Sequence, residues 1–218
     1  MEIRRTPSTE KEVLIAGIPR CGTTYVFRSV AGLRPGGTTP KGGPLSKLAF
    51  LKTHGLAPPD QFGDPHVRTT IRHFKNGGRS IFIFGNPFLA AISNRHNRWG
   101  KLHAKNCGFK GPLGSANIYK RDDFNYERMF DSWTRGDFMA PVLVVRYETL
   151  PEHFKDIEYF LGRTVRWNEW KPRKTRRHMV SDRDFEAIKK TYGRLKRKMD
   201  DFPDIAIFNG QKRKTGGL

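Results

Sequence analysis

Four short apolar runs punctuate the chain, at Val13–Gly17, Ala49–Thr53, Ser80–Phe84 and Val142–Arg146. They are continuous rather than alternating, the pattern of strands buried on both faces. Between and after them, apolar positions follow helical spacing. Phe154, Ile157 and Phe160/Leu161 fall on one helical face, and Phe185, Ile188, Tyr192, Leu195 and Met199 make the inward stripe of a longer helix. Ser181-x-x-Asp184 opens that helix as a capping box. Its aromatics read as core. Residues 34–44 and 100–122, rich in Gly with Pro or Lys, read as loops. Strands alternating with helices predict an α/β domain with a central, mainly parallel sheet flanked by helices. There is no internal repeat.

The length of 218 residues predicts one domain spanning 1–218. Charge then singles out its last quarter. The chain carries 41 Lys+Arg against 21 Asp+Glu, net +20. Residues 163–218 hold 17 and 7 of these, net +10, so half of the excess lies in one quarter, read as a basic helical extension packed on the domain. Such a surface attracts polyanions of any kind. Two cysteines, Cys21 and Cys107, make no disulfide framework. No apolar stretch is long enough for a membrane span, and the charged start Met-Glu-Ile-Arg-Arg is not of signal-peptide type, so a cytoplasmic setting is expected.

The first apolar run breaks into a glycine loop and then a helix: Val-Leu-Ile-Ala-Gly-Ile-Pro-Arg-Cys-Gly-Thr-Thr over residues 13–24. A strand delivering a glycine loop to a helix N-terminus builds a phosphate cradle from backbone N–H groups and the helix dipole. Gly17-x4-Gly22-Thr23-Thr24 is Walker-type in spacing, but Thr23 stands where a nucleoside triphosphatase has its lysine. That argues against ATP or GTP hydrolysis. Arg20 is the only long cation of the loop.

In parallel sheets, ligands sit at the carboxyl ends of the strands. The second strand ends in Lys52-Thr53-His54; Gly85-Asn86-Pro87 follows the third, with Ser93 and His96 further on; the fourth ends in Arg146-Tyr147-Glu148.

Together these segments resemble the P-loop sulfotransferases, which move a sulfuryl group from 3′-phosphoadenosine 5′-phosphosulfate (PAPS) to an acceptor. Pro19-Arg20-Cys21-Gly22-Thr23-Thr24-Tyr25 is similar to the family's 5′-phosphosulfate loop. Lys52-Thr53-His54 resembles the segment carrying the family's histidine base, and Asn86-Pro87 with Ser93 resembles its 3′-phosphate segment. Leu143–Leu150 resembles its late strand and turn. The resemblance covers residues 11–161 in segments and implies a P-loop three-layer sandwich. Two departures stand out. Gly85 replaces the family's 3′-phosphate arginine, and the C-terminal Arg-Lys-Gly-x-x-Gly segment is only echoed by Arg213–Gly217.

Sulfuryl transfer needs in-line geometry and neutralised oxygen charge, with little covalent work by the protein. The expected roles follow. Loop N–H groups around Cys21 and Gly22, with the Thr23 and Thr24 hydroxyls, hold the 5′-phosphate. Arg20 and Lys52 stabilise the sulfuryl and bridging oxygens, and His54 takes the acceptor's proton. Tyr25 packs on the adenine or, equally, in the core. Lys120 or Arg121 supplies the cation missing at Gly85. The scattered His and Cys residues offer no metal site. The positive surface favours an anionic acceptor, such as an acidic glycan or a tyrosine among acidic residues.

Two other readings compete with this one. A kinase-like enzyme needs a loop lysine and an acidic Mg²⁺ ligand directly after a strand, and neither is present. A nucleic-acid-binding protein would use the net charge and the run Trp167–Arg177, where aromatics interleave with cations. That run reads better as a basic arm with its tryptophans packed on the body.

Overall fold

The computed structural model describes residues 13–33, 50–57, 78–97, 100–112, 114–171 and 177–209, with 50–53 described as backbone. The four expected strands form at β1 (Val13–Gly17), β2 (Phe50–Thr53), β3 (Arg79–Phe84) and β4 (Val142–Arg146). They pair in parallel in the order β2-β1-β3-β4, with Ile15 opposite both Lys52 and Ile81. A fifth strand, β5 (Ile205–Phe208), joins the edge of β4 antiparallel. The sheet is therefore mixed and open, in an α/β fold.

β1, β3 and β4 are buried almost throughout, which is why their apolar runs do not alternate. β5 is also a continuous apolar run, Ile-Ala-Ile-Phe, outside the four runs read as strands. It is an edge strand of four residues, only partly buried, and its place is secured by a side chain of β4. Arg146 binds the Asp204 carboxylate and the Met199 and Phe202 carbonyls, and its guanidinium lies 4.9 Å from the Phe84 ring. Arg146 thus clamps the chain just before β5. The C-terminal quarter supplies this strand as well as a helix.

The helices are α1 (Thr23–Val30), α2 (Pro87–Arg95), α3 (Gly100–Asn106), α4 (Tyr126–Thr134), α5 (Phe154–Leu161) and α6 (Asp182–Asp201). α1 packs on β1 and β2, and α6 packs on α2 and α4. The N-cap half of the expected box forms, with Asp184 N–H donating to Ser181 Oγ at 3.1 Å. Ile188, Tyr192, Leu195 and Met199 are buried as their spacing requires, while Phe185 is partly buried against the core.

The 100–122 segment departs from the loop expectation, because α3 opens it. Gly100, His103, Ala104 and Cys107 share a helical face, and a Cβ at Gly100 would come within 2.4 Å of the Asn94 carbonyl oxygen. Small residues let α3 approach the end of α2 closely, and they carry little of the hydrophobic signal on which periodicity depends. The loop read at 34–44 and the echo at Arg213–Gly217 lie outside the described residues. No helix of the described residues is long and apolar enough to cross a membrane.

One carboxylate makes the fold sensitive to pH. Asp122 accepts from Tyr126 N–H at 2.9 Å and Glu127 N–H at 3.0 Å, holding the first turn of α4. Burial pushes its pKa up to about 6, against the pull of those two N–H groups. An unfolded-chain aspartate titrates near ~3.9, so the native state holds this proton more tightly. Stability should fall as pH rises from 4 through 6, by roughly 3 kcal/mol from this group. Urea midpoints measured across that range should lose most of the slope in Asp122→Asn. An unchanged slope would assign the pH dependence elsewhere.

Candidate nucleotide-binding site

The chain leaves β1 for β2 on one side and returns to β3 on the other. Such a reversal opens a crevice at the carboxyl ends of β1 and β3, the usual ligand position in open α/β sheets. The loop 18–22 follows β1 there, and the turn at Gly85-Asn86 follows β3.

The loop is held in a tight form by Cys21 N–H donating to the Ile18 carbonyl at 3.1 Å. Gly22 has φ +80 and a Cβ there would fall 2.5 Å from the Tyr147 ring, so conformation and space both require glycine. α1 begins on Gly22 with no side-chain cap and no acidic residue in its first turn. Its positive end is therefore left for an anion. Thr23 is buried, Thr24 is exposed, and the Cys21 side chain is buried. With its N–H donating to Ile18 and its side chain buried, Cys21 does not supply the phosphate donor expected of it, because the tight turn of the loop uses that N–H.

Arg20 has φ 74, a left-handed conformation that costs a non-glycine residue roughly 1–2 kcal/mol. Its Nε donates to Ser93 Oγ on α2 at 3.0 Å, across the crevice. The loop after β1 and the helix after β3 are joined by two residues singled out for one site. His54, just past β2, is buried, with Nδ1 2.7 Å from the Gly17 carbonyl. A carbonyl only accepts, so Nδ1 carries the proton and Nε2 is the basic atom of the neutral ring. Lys52 stands one pair from the end of β2, and its side chain is outside the described structure.

The remaining candidates have structural work of their own. Asn86 caps α2, its Oδ1 accepting from Phe88 and Leu89 N–H at 3.0 and 3.3 Å. The Tyr25 ring lies among Phe154, Trp167 and Trp170, with centroids 6.3, 6.3 and 5.0 Å away, and its hydroxyl donates to the Asn168 carbonyl at 2.7 Å. Burial raises its pKa. The tryptophans of the basic run are thus packed on the body. Lys120 and Arg121 are exposed; Arg121 pairs with Asp123 at 3.1 Å. Lys120 lines a cavity of about 420 Å³ with Arg95, His96, Tyr119 and Asp184. Arg95 follows Ser93 by about 200° around the helix, so this cavity and the Arg20–Ser93 contact use different faces of α2.

Asn94 and His103 are absent from the sequence reading, and Tyr147 is there only as part of a strand end. Tyr147 covers Gly22. Asn94 is buried and His103 lies 5.2 Å from His54, ring centroid to centroid. Asn94 falls three and four residues after the buried Ala91 and Ala90, a polar side chain on an inward stripe. That was the available signal.

Glu148 explains the departure at Gly85. A Cβ at residue 85 would meet both Glu148 carboxylate oxygens at 3.0 Å and Tyr147 Cβ at 3.1 Å, and Glu148 Oε1 accepts from Asn86 N–H at 2.8 Å. A carboxylate fills the space where the resemblance expects a cation. Among the described residues, no group of three or more His, Cys, Asp or Glu could hold a metal ion. No family model and no curated protein matches the chain.

If the chain takes the donor that the resemblance implies, the substitution pair Glu148→Ala/Gly85→Arg should raise affinity for adenosine 3′,5′-bisphosphate by about 10-fold or more while leaving adenosine 5′-phosphate unchanged. Gly85→Arg alone should gain less, since Glu148 would take the new guanidinium. Calorimetry on both ligands checks this; equal gains for both would put the 3′-phosphate elsewhere.

Proposed function

We propose that the chain is a PAPS-dependent sulfotransferase of the P-loop type, acting on a hydroxyl of an anionic acceptor. The observation that carries this reading is the junction of base and phosphate loop. His54, with Nε2 as its basic atom, hangs on the carbonyl of Gly17, the residue that starts the loop. A nucleotide-binding module has no use for a buried imidazole oriented in this way, and a nucleoside triphosphatase needs the lysine that Thr23 replaces.

The residues fit the 5′ end of such a donor: an uncapped α1 N-terminus, the Thr23 and Thr24 hydroxyls, and Arg20 at the crevice. At the 3′ end they supply Ser93 but present Glu148 rather than a cation, so donor affinity there rests on charge brought from elsewhere in the chain. In the transfer step, the acceptor O–H breaks and its proton passes to His54 Nε2. The acceptor oxygen bonds to sulfur as the bridging S–O bond breaks, and the leaving phosphate takes that electron pair. Arg20 neutralises charge on the sulfuryl and bridging oxygens as it builds. The net charge of +20 supports an acidic acceptor, a glycan bearing carboxylate or sulfate or a tyrosine among acidic residues.

Thermal stability in the presence of a small ligand panel tests the reading. Adenosine 3′,5′-bisphosphate should raise the melting temperature, and ATP or GTP, with or without Mg²⁺, should do little. Stabilisation by Mg-ATP alone would overturn it in favour of a kinase-like enzyme.

A further inference from the structure

His54 has a partner that the reaction outlined above does not use. His103 on α3 lies against it with the two rings inclined at 66° and their centroids 5.2 Å apart. His103 Nδ1 is 2.7 Å from Asn94 Oδ1. The orientation of Asn94 follows from its other contacts, since Nδ2 faces the Pro19 and Ala90 carbonyls at 3.2 Å each. Carbonyls accept, so Nδ2 is the donor end and Oδ1 accepts from His103 Nδ1–H. Both histidines therefore carry the neutral-state proton on Nδ1 and keep Nε2 basic.

Both are also tied to the same loop. His54 donates to Gly17, and His103 is tied through the buried Asn94 to Pro19, the residue before Arg20. Two imidazoles this close oppose each other's protonation, so the second proton is bound far less readily than the first.

We infer that His54 and His103 form a pair fastened to the phosphate loop that takes up no more than one proton near neutral pH, in which His103 is a positioning residue that holds the His54 ring and leaves that one proton to His54 when the acceptor arrives. This rests on the sulfotransferase reading for its role in transfer, but the pair itself does not. The proton leaving the acceptor is received by His54, and His103 stays neutral during that step. The ionisable groups on the surrounding elements are Lys52 on β2, Arg20 and Cys21 in the loop, Arg95 and the capping His96 of α2, Lys101 and Lys105 on α3, and Tyr126, Glu127, Arg128 and Asp131 on α4. Tyr126, whose hydroxyl meets Asn94, is held neutral by burial.

Imidazole resonances followed by NMR across pH 4–9 on the full chain test the pair, with His54 assigned through His54→Gln. In the wild type the two rings should lose protons in steps separated by more than about one pH unit, and in His103→Phe or His103→Gln His54 should titrate in a single step. His103→Gln retains a donor for Asn94 and guards against a failure to fold. The acid limb of the pH–rate profile should move in the same variants, which a merely structural role would not cause. A His54 titration identical in wild type and both variants would overturn the inference. Absence of transfer with any donor would instead sink the sulfotransferase reading, leaving the NMR result to decide the pair.

Discussion

Replacing His54 with alanine is expected to lower sulfuryl transfer by about 10²–10⁴-fold while leaving the binding of adenosine 3′,5′-bisphosphate nearly unchanged. In the proposed transfer the imidazole acts on the acceptor, so its loss should appear in kcat rather than in donor affinity. The geometry adds a control. His54→Gln can still donate to the Gly17 carbonyl and preserve the end of β1, but it has no basic nitrogen. If both variants lose rate equally and keep their melting temperature, the missing element is the base. If glutamine restores the rate, His54 serves only to brace the loop. Full activity in His54→Ala would move the base elsewhere, and Glu148, next to the turn after β3, is the first alternative.

The strands around the site were readable because they are buried on both faces. Val13–Gly17 and Val142–Arg146 coincide with β1 and β4, and β3 differs from its apolar run by one residue, Arg79. β5 is an apolar run too, Ile-Ala-Ile-Phe, but nothing local says that it pairs antiparallel at the edge of β4; its position depends on Arg146, a contact with Asp204 across 58 residues of chain. Arg146 itself looked functional at a strand end and proves to be that clamp. α3 escaped for another reason. Its inward face is Gly, His, Ala and Cys, so close backbone approach takes the place of apolar bulk.

The site was readable in its parts and not in its connections. The spacing of Gly17, Gly22 and Thr23 marks a strand-loop-helix unit, and that unit forms. Nothing in the chain says that Arg20 will reach Ser93, because their contact depends on β3 lying beside β1. The same holds for His103, which meets His54 only because α3 folds back on the end of α2. Gly85 was visible as a missing cation, but its cause is Glu148, brought there by the pairing of β3 with β4. Local pattern predicts elements, and adjacency in the sheet decides which of their ends share a crevice.

Arg20→Ala should cost about 10²–10³-fold in transfer rate and much less in donor affinity, because in the proposed transfer its cation is aimed at charge that grows as the bridging bond breaks. Arg20→Lys should recover much of the rate, since an ammonium also suits a single oxygen. Ser93→Ala separates orientation from charge. It removes the acceptor that now holds Arg20 Nε at 3.0 Å and leaves the guanidinium in place, so the loss should be nearer ~10-fold, the worth of one hydrogen bond. Arg20→Gly sharpens the distinction between function and stability. With φ at 74, glycine relieves the left-handed strain while adding backbone entropy to the unfolded chain, so stability should stay within about 1 kcal/mol of wild type even as transfer collapses. Single-turnover rates at saturating donor, set beside urea midpoints, read both quantities. If Arg20→Ala weakened donor binding but left the saturated rate intact, Arg20 would be a ground-state anchor, and the charge built in the transition state would be met by another group, with Lys52 the first to examine.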